Sequence, residues 1–99
     1  MSHPIWYLYL LECVNGSYYA GITTDVKARF SAHQSGKGAR YTRANPPVRV
    51  LAQAEYADRS AASKAEWALK QLPREEKLGF FSSADRSMRS PSAAHSSDL

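Results

Sequence analysis

The stretch Ile5–Cys13 (IWYLYLLEC) constrains this chain more than any other: it is β-branched, aromatic or apolar almost throughout. Such a run marks a strand covered on both faces. Asn15-Gly16 is a hairpin signal, and Ser17–Ile22 supplies the return strand. Thr24 or Asp25 can cap a helix running to about Ser35, with Val26, Phe30 and His33 at i, i+4 and i+7. Gly36-Lys37-Gly38 ends it, because glycine tolerates the positive φ that closes a helix. A turn-rich basic segment then leads to Pro46-Pro47.

Val48–Tyr56 reads as a third strand, with Val48, Val50, Ala52 and Ala54 alternating against polar or longer residues. Asp58 caps a second helix, Arg59–Leu72, and Pro73 opens a short third helix ending near Gly79. The order β-β-α-β-α-α predicts an α+β domain, a small three-stranded antiparallel sheet flanked by helices. From Ser82 the composition changes: the last eighteen residues hold seven serines and no aromatic or β-branched residue. That segment cannot bury enough apolar surface to offset its ordering entropy. The expected division is therefore a folded unit, 1–81, and a Ser-rich disordered tail, 82–99.

Ninety-nine residues suffice for one modest core. Hydrophobic residues at 43% and charged residues at 22% exclude a fibrous repeat or a wholly disordered chain. With Cys13 as its one cysteine, the chain has no intrachain disulfide. The longest apolar run, Ile5–Leu11, is far below the ~20 residues that span a bilayer, and no leader pattern opens the chain. A cytoplasmic protein with no membrane partner is the expectation. The net charge is +4, and it is concentrated. From Asp25 to Arg49 lie Lys27, Arg29, Lys37, Arg40, Arg43 and Arg49, against Asp25 alone. A basic stretch of this kind suits a polyanion such as nucleic acid.

Glycine-rich phosphate loops, paired cysteines for zinc and HExxH are all absent. Tyrosine stands out instead, with Tyr7, Tyr9, Tyr18 and Tyr19 on the two hairpin strands. On their own these residues would be read as packing. Their order alters that reading. Tyr7-Leu8-Tyr9, then Tyr19-Ala20-Gly21 and Arg29, resembles the GIY-YIG nuclease family. The match continues through His33, Gly36-Lys37-Gly38-Ala39, Tyr41-Thr42-Arg43 and Glu66 within AEWALK. It covers about Trp6 to Leu72 and is most similar to the small single-domain bacterial proteins of the UPF0213 group. Those are relatives of the nuclease domains of excision repair and of flap and junction nucleases.

The resemblance implies a divalent-metal-dependent endonuclease that hydrolyses phosphodiester bonds in DNA. Tyr9 and Tyr19 take the places of the two motif tyrosines, one of which helps deprotonate the attacking water. Either can fill that role here. A phenol titrates near ~10, so a base role needs nearby positive charge or metal-bound water. Gly21 would allow close backbone approach at the end of the second strand. Arg29 would sit over the scissile phosphate, where its planar charged fork meets developing charge. His33, one turn later, can look at the same site.

Glu66 is the implied ligand of a single Mg2+ or Mn2+ ion, which accepts one carboxylate plus waters and phosphate oxygens. The alternative for Glu66 is a helical ion pair with Lys70, worth about 0.3–0.5 kcal/mol if exposed. Lys27, Lys37, Arg40, Tyr41, Thr42 and Arg43 are the expected nucleic-acid contacts. Three departures from the family pattern bear on substrate choice and turnover. Tyr7 replaces the leading glycine of the first triplet, the asparagine after the metal glutamate has no counterpart, and these residues include no second DNA-binding domain. Two rival functions therefore stand beside the nuclease: a nucleic-acid-binding module that has lost cleavage, and a subunit aimed by a protein partner.

Spacing also predicts the hairpin's register. A two-residue Asn15-Gly16 loop would pair Val14 with Ser17 and point Tyr9 and Tyr19 to opposite faces. A three-residue loop, Val14-Asn15-Gly16, would pair Cys13 with Ser17 and put both tyrosines on one face. A shared site demands the longer loop.

Overall fold

The computed structural model describes residues 4–89. Its elements are β1 (Trp6–Cys13), β2 (Tyr18–Thr23), α1 (Val26–Gln34), α2 (Arg40–Ala44), β3 (Pro47–Tyr56), α3 (Arg59–Lys70) and α4 (Arg74–Arg89). The strands form one antiparallel sheet in the order β2-β1-β3. β1 is the central strand, and it is buried from both sides: Leu8, Tyr9, Leu10 and Leu11 are all at or near zero exposure. Its uninterrupted apolar character is thus explained. Leu8 and Leu10 join Ala20, Ala54, Leu69 and Phe81 in the core between the sheet and α3 and α4.

The hairpin takes the three-residue loop. Cys13 N–H donates to Ser17 O and Gly16 N–H to Cys13 O, both at 2.8 Å. Gly16 has φ +84°, while no non-glycine residue among those described has positive φ. That is a turn closed by a left-handed glycine, and the pairing Tyr9↔Gly21 and Leu11↔Tyr19 follows. Tyr9 and Tyr19 therefore share one face of the sheet.

Caps occur where the sequence places them. The Asp25 side chain accepts from Ala28 N–H and that of Asp58 from Ala61 N–H, at 3.0 and 2.8 Å. Gly36, at φ +83°, follows the end of α1.

Three expectations need correction. The basic segment is not all turn, since Arg40–Ala44 forms the short helix α2. The alternation of β3 is broken at Leu51, where the register with β1 slips by one residue. Ala54 is consequently buried and Ala52 packs on the core, whereas Val48 and Val50 are 50% and 37% exposed. The last helix does not end near Gly79 but runs to Arg89, into the segment whose composition reads as tail. The remainder of that segment, 90–99, lies outside the described residues. Among the described residues no helix is long and apolar enough to cross a membrane.

Candidate active site

Four elements and one loop converge on a cavity of about 380 Å³. β1 contributes Tyr9, β2 contributes Tyr19, Gly21 and Ile22, α1 contributes Arg29 and His33, and α3 contributes Glu66. Lys37, Gly38 and Ala39, between α1 and α2, complete the lining. Every residue carried over as catalytic or metal-binding is here. The shared face of Tyr9 and Tyr19 follows from the hairpin loop, and the four-residue spacing of Arg29 and His33 puts both on one side of α1.

Besides Gly21, Tyr9 and His33 are its buried members, at 3% and 2% exposure. Their hydrogen bonds form a chain whose direction can be derived. Thr42 Oγ1 lies 2.9 Å from Ala39 O and 2.7 Å from His33 Nδ1. A carbonyl only accepts, so the single Thr42 proton goes to Ala39 O, and Nδ1–H must donate to Thr42. Nε2 is then the bare nitrogen, and Tyr9 Oη–H donates to it at 3.0 Å. Ala39 N–H also points at Nδ1, at a long 3.4 Å, a weak contact that favours the other tautomer; the Thr42 bond to Ala39 O, at 2.9 Å, decides against it. The neutral imidazole thus accepts a hydrogen bond from the Tyr9 phenol.

Burial supports the neutral state of both rings electrostatically. It pushes the His33 imidazole below its ordinary value, and the Arg29 guanidinium pushes the same way. Burial first, then Tyr19 and Glu66, push the Tyr9 phenol well above the usual tyrosine range, with Arg29 opposing. Tyr9 is therefore a neutral donor, and His33 a neutral acceptor, near pH 7.

Two glycines make room for this pair. A Cβ on Gly21 would overlap Tyr9 Oη and stand 2.7 Å from its Cζ. A Cβ on Gly38 would overlap His33 Nδ1 and stand 2.7 Å from Cε1. Gly21 was expected to serve backbone approach; in the fold it is buried and accommodates the phenol of its strand neighbour. Gly38→Ala should accordingly cost about 1–3 kcal/mol of stability in urea denaturation, as overpacking does. In a His33→Ala background the same change should cost much less, because the ring it strikes is gone.

Arg29 is exposed at the cavity, and Glu66 is partly buried and paired with Lys70 at 3.1 Å. Tyr19 stands edge-on to His33, 5.2 Å between centroids, and stacks on Tyr41 at 6.2 Å. The other expected nucleic-acid contacts separate. Lys37 lines the cavity, while Lys27, Arg40 and Arg43 are exposed beyond its lining and Tyr41 is 41% exposed. Thr42 is the correction: at 0% exposure it cannot reach a ligand, and its hydroxyl orients His33 instead. Sequence reasoning also gave Gly38 only the role of ending a helix. Its proximity to His33, five residues back, is the signal that could have found its other role.

Among the described residues no three His, Cys, Asp or Glu side chains gather to hold a metal. A closed protein cage is thus not the fit here. The donor set is one carboxylate, Glu66, facing a cavity with room for waters and a phosphate, which suits a hard oxygen-loving cation.

Comparison with known proteins defines the class first. Residues 5–78 match the GIY-YIG catalytic domain, so the chain belongs to the GIY-YIG family, whose catalytic domain is that of nucleases. Within it, the chain is similar to UPF0213 proteins. One from Xanthomonas campestris pv. campestris is 65% identical over 76% of this chain and 74% of that protein. Another, from Xanthomonas axonopodis pv. citri, is 56% identical over 93% and 90%. The solution NMR structure of the protein EF2693 from E. faecalis matches with a TM-score of 0.57 at 37% identity, covering 82% of this chain and 86% of that one.

Proposed function

We propose that this chain is a divalent-metal-dependent endonuclease hydrolysing phosphodiester bonds in DNA. The observation that carries the reading is the convergence of Tyr9, Tyr19, Arg29, His33 and Glu66 on one cavity. A module that only bound nucleic acid would need the basic stretch, not a buried Tyr9–His33–Thr42 chain with a defined proton direction.

In the reaction, a water oxygen forms a bond to phosphorus as the bond from phosphorus to the leaving sugar oxygen breaks. That sugar oxygen leaves with the electron pair and takes a proton from solvent water. The water's proton passes to Tyr9 Oη while the Tyr9 proton moves to His33 Nε2, so the phenol never stands as a free phenolate. Thr42 and Ala39 O hold the imidazole in the tautomer this requires. Arg29 meets the charge that develops on the phosphoryl oxygens, and Tyr19 walls the site beside His33. Glu66 would hold the Mg2+ or Mn2+ ion, which when bound supplies Lewis-acid stabilisation of phosphate oxygens.

The test is incubation of the purified chain with flap, junction, single-stranded and duplex DNA, with magnesium and with chelator. Magnesium-dependent cuts in at least one form are expected, and binding without cuts in any form would favour the binding module. If Arg40, Arg43 and Lys37 bind phosphates, log affinity should fall linearly with log salt. Replacing any one of these three side chains by alanine should flatten the slope by about 0.9 on duplex or 0.7 on single strands. An unchanged slope for the Arg40→Ala, Arg43→Ala double variant would remove α2 from the interface.

A further inference from the structure

Lys70, on α3, stands against two residues of the cavity wall without a part in the hydrolysis. Its ammonium lies 3.1 Å from Glu66 Oε2, one helical turn on, and 6.0 Å from the centroid of the Tyr19 ring. The side chain of Lys70 is 50% exposed and that of Glu66 24%. Glu followed by Lys at i+4 commonly supports a helix. This pair, however, is not on a free face of α3. Both partners of the ammonium, the Glu66 carboxylate and the Tyr19 ring, belong to residues that line the cavity.

We infer that Lys70 is a placeholder cation, which neutralises Glu66 in the ion-free protein and competes with a divalent ion for that carboxylate. The inference rests on the reading of Glu66 as a metal ligand and makes Lys70 a positioning residue. A carboxylate left bare in this cavity would have only the exposed Arg29 and Lys37 side chains of the lining to balance its charge. The ammonium supplies that balance at close range. A dication and an ammonium cannot both sit within a few ångströms of one carboxylate without strong mutual repulsion. Occupancy by an ion therefore requires Lys70 to swing away, which its flexible four-carbon stem and half-exposed position allow. The consequence is that the protein's own residue weakens its affinity for the ion while keeping Glu66 extended into the site.

The experiment is titration of the full chain with Mn2+, without nucleic acid, following free Mn2+ by electron paramagnetic resonance at one fixed pH. Lys70→Met should tighten Mn2+ binding on the order of tenfold, since it removes both the competing pair and the direct repulsion. Lys70→Arg, which keeps the charge, should stay near wild type. Glu66→Gln, alone or with Lys70→Met, should lose the site. Unchanged Mn2+ affinity in Lys70→Met, with affinity lost in Glu66→Gln, overturns this inference and leaves Glu66 as ligand. Unchanged affinity in Glu66→Gln overturns the metal reading itself. Circular-dichroism melting of each variant separates these results from unfolding, because a merely helix-supporting Lys70 would lower Tm slightly and leave Mn2+ affinity alone.

Discussion

His33→Ala should lower the single-turnover cleavage rate by about 10²–10⁴, the range typical of losing a positioned proton acceptor. DNA affinity should be nearly unchanged, because His33 is 2% exposed and offers no surface to a ligand. His33→Gln, which fills more of the vacated volume, should be just as slow, separating chemistry from packing. The wild-type pH profile should carry the same signature. Protonated His33 cannot accept from Tyr9, so the rate should fall on the acid side. Its midpoint should lie below the ordinary histidine value of about 6.5, because burial and Arg29 both disfavour the imidazolium. The fold should weaken in the same window. A histidine whose pKa is lowered by folding leaves the unfolded chain binding more protons as pH drops below about 6.5, and stability declines from there to the folded-state value. Thr42→Val should slow cleavage and Thr42→Ser should restore it. Equal activity in both would detach Thr42 from the proton chain.

Glu66→Gln should remove most cleavage, by about 10²–10³, as when one electrostatic partner of a developing charge is deleted. Glutamine keeps the shape of glutamate but offers no negative charge to a hard cation. DNA binding should be unchanged or slightly tighter, since a negative charge has left a surface that meets phosphate. The Lys70 ion pair alone predicts something quite different: a few tenths of a kcal/mol of stability, with catalysis intact. The structure contains that ion pair, so the two readings of Glu66 coexist in one geometry and only the rate separates them.

Much of the fold was legible because the deciding signals are local. The Ile5–Cys13 run marks the central strand, Asp58 caps the helix it precedes, and Asp25 is one of two offered caps for α1. A site shared by Tyr9 and Tyr19 demands the three-residue loop that the fold takes. Where a signal is non-local or weak, the sequence misleads. α2 is five residues long, with no apolar period to reveal it. The slip at Leu51 follows from pairing with β1, which alternation within β3 alone cannot show. Gly79 reads as a helix end and the composition from Ser82 as tail, yet α4 continues to Arg89.

The site divides in the same way. The resemblance to the GIY-YIG family grouped Tyr9, Tyr19, Arg29, His33 and Glu66, which line one cavity, but it did not reveal the partners that set their chemistry. Thr42 lies among arginines in a basic segment and reads as a ligand contact. Its role depends on a side chain nine residues away, visible only once α1 and α2 are packed together.

The most direct test of the nuclease mechanism is the single-turnover cleavage of end-labelled DNA by wild type and Arg29→Ala, purified identically, with magnesium and with chelator. Arg29 is exposed at the cavity and outside the core, so its removal should leave the fold intact. The mechanism predicts magnesium-dependent cuts by wild type, a drop of about 10²–10³ in rate for Arg29→Ala, and only modestly weaker DNA binding. Cleavage undiminished in Arg29→Ala, or no cleavage by wild type of any DNA form that it binds, would contradict it.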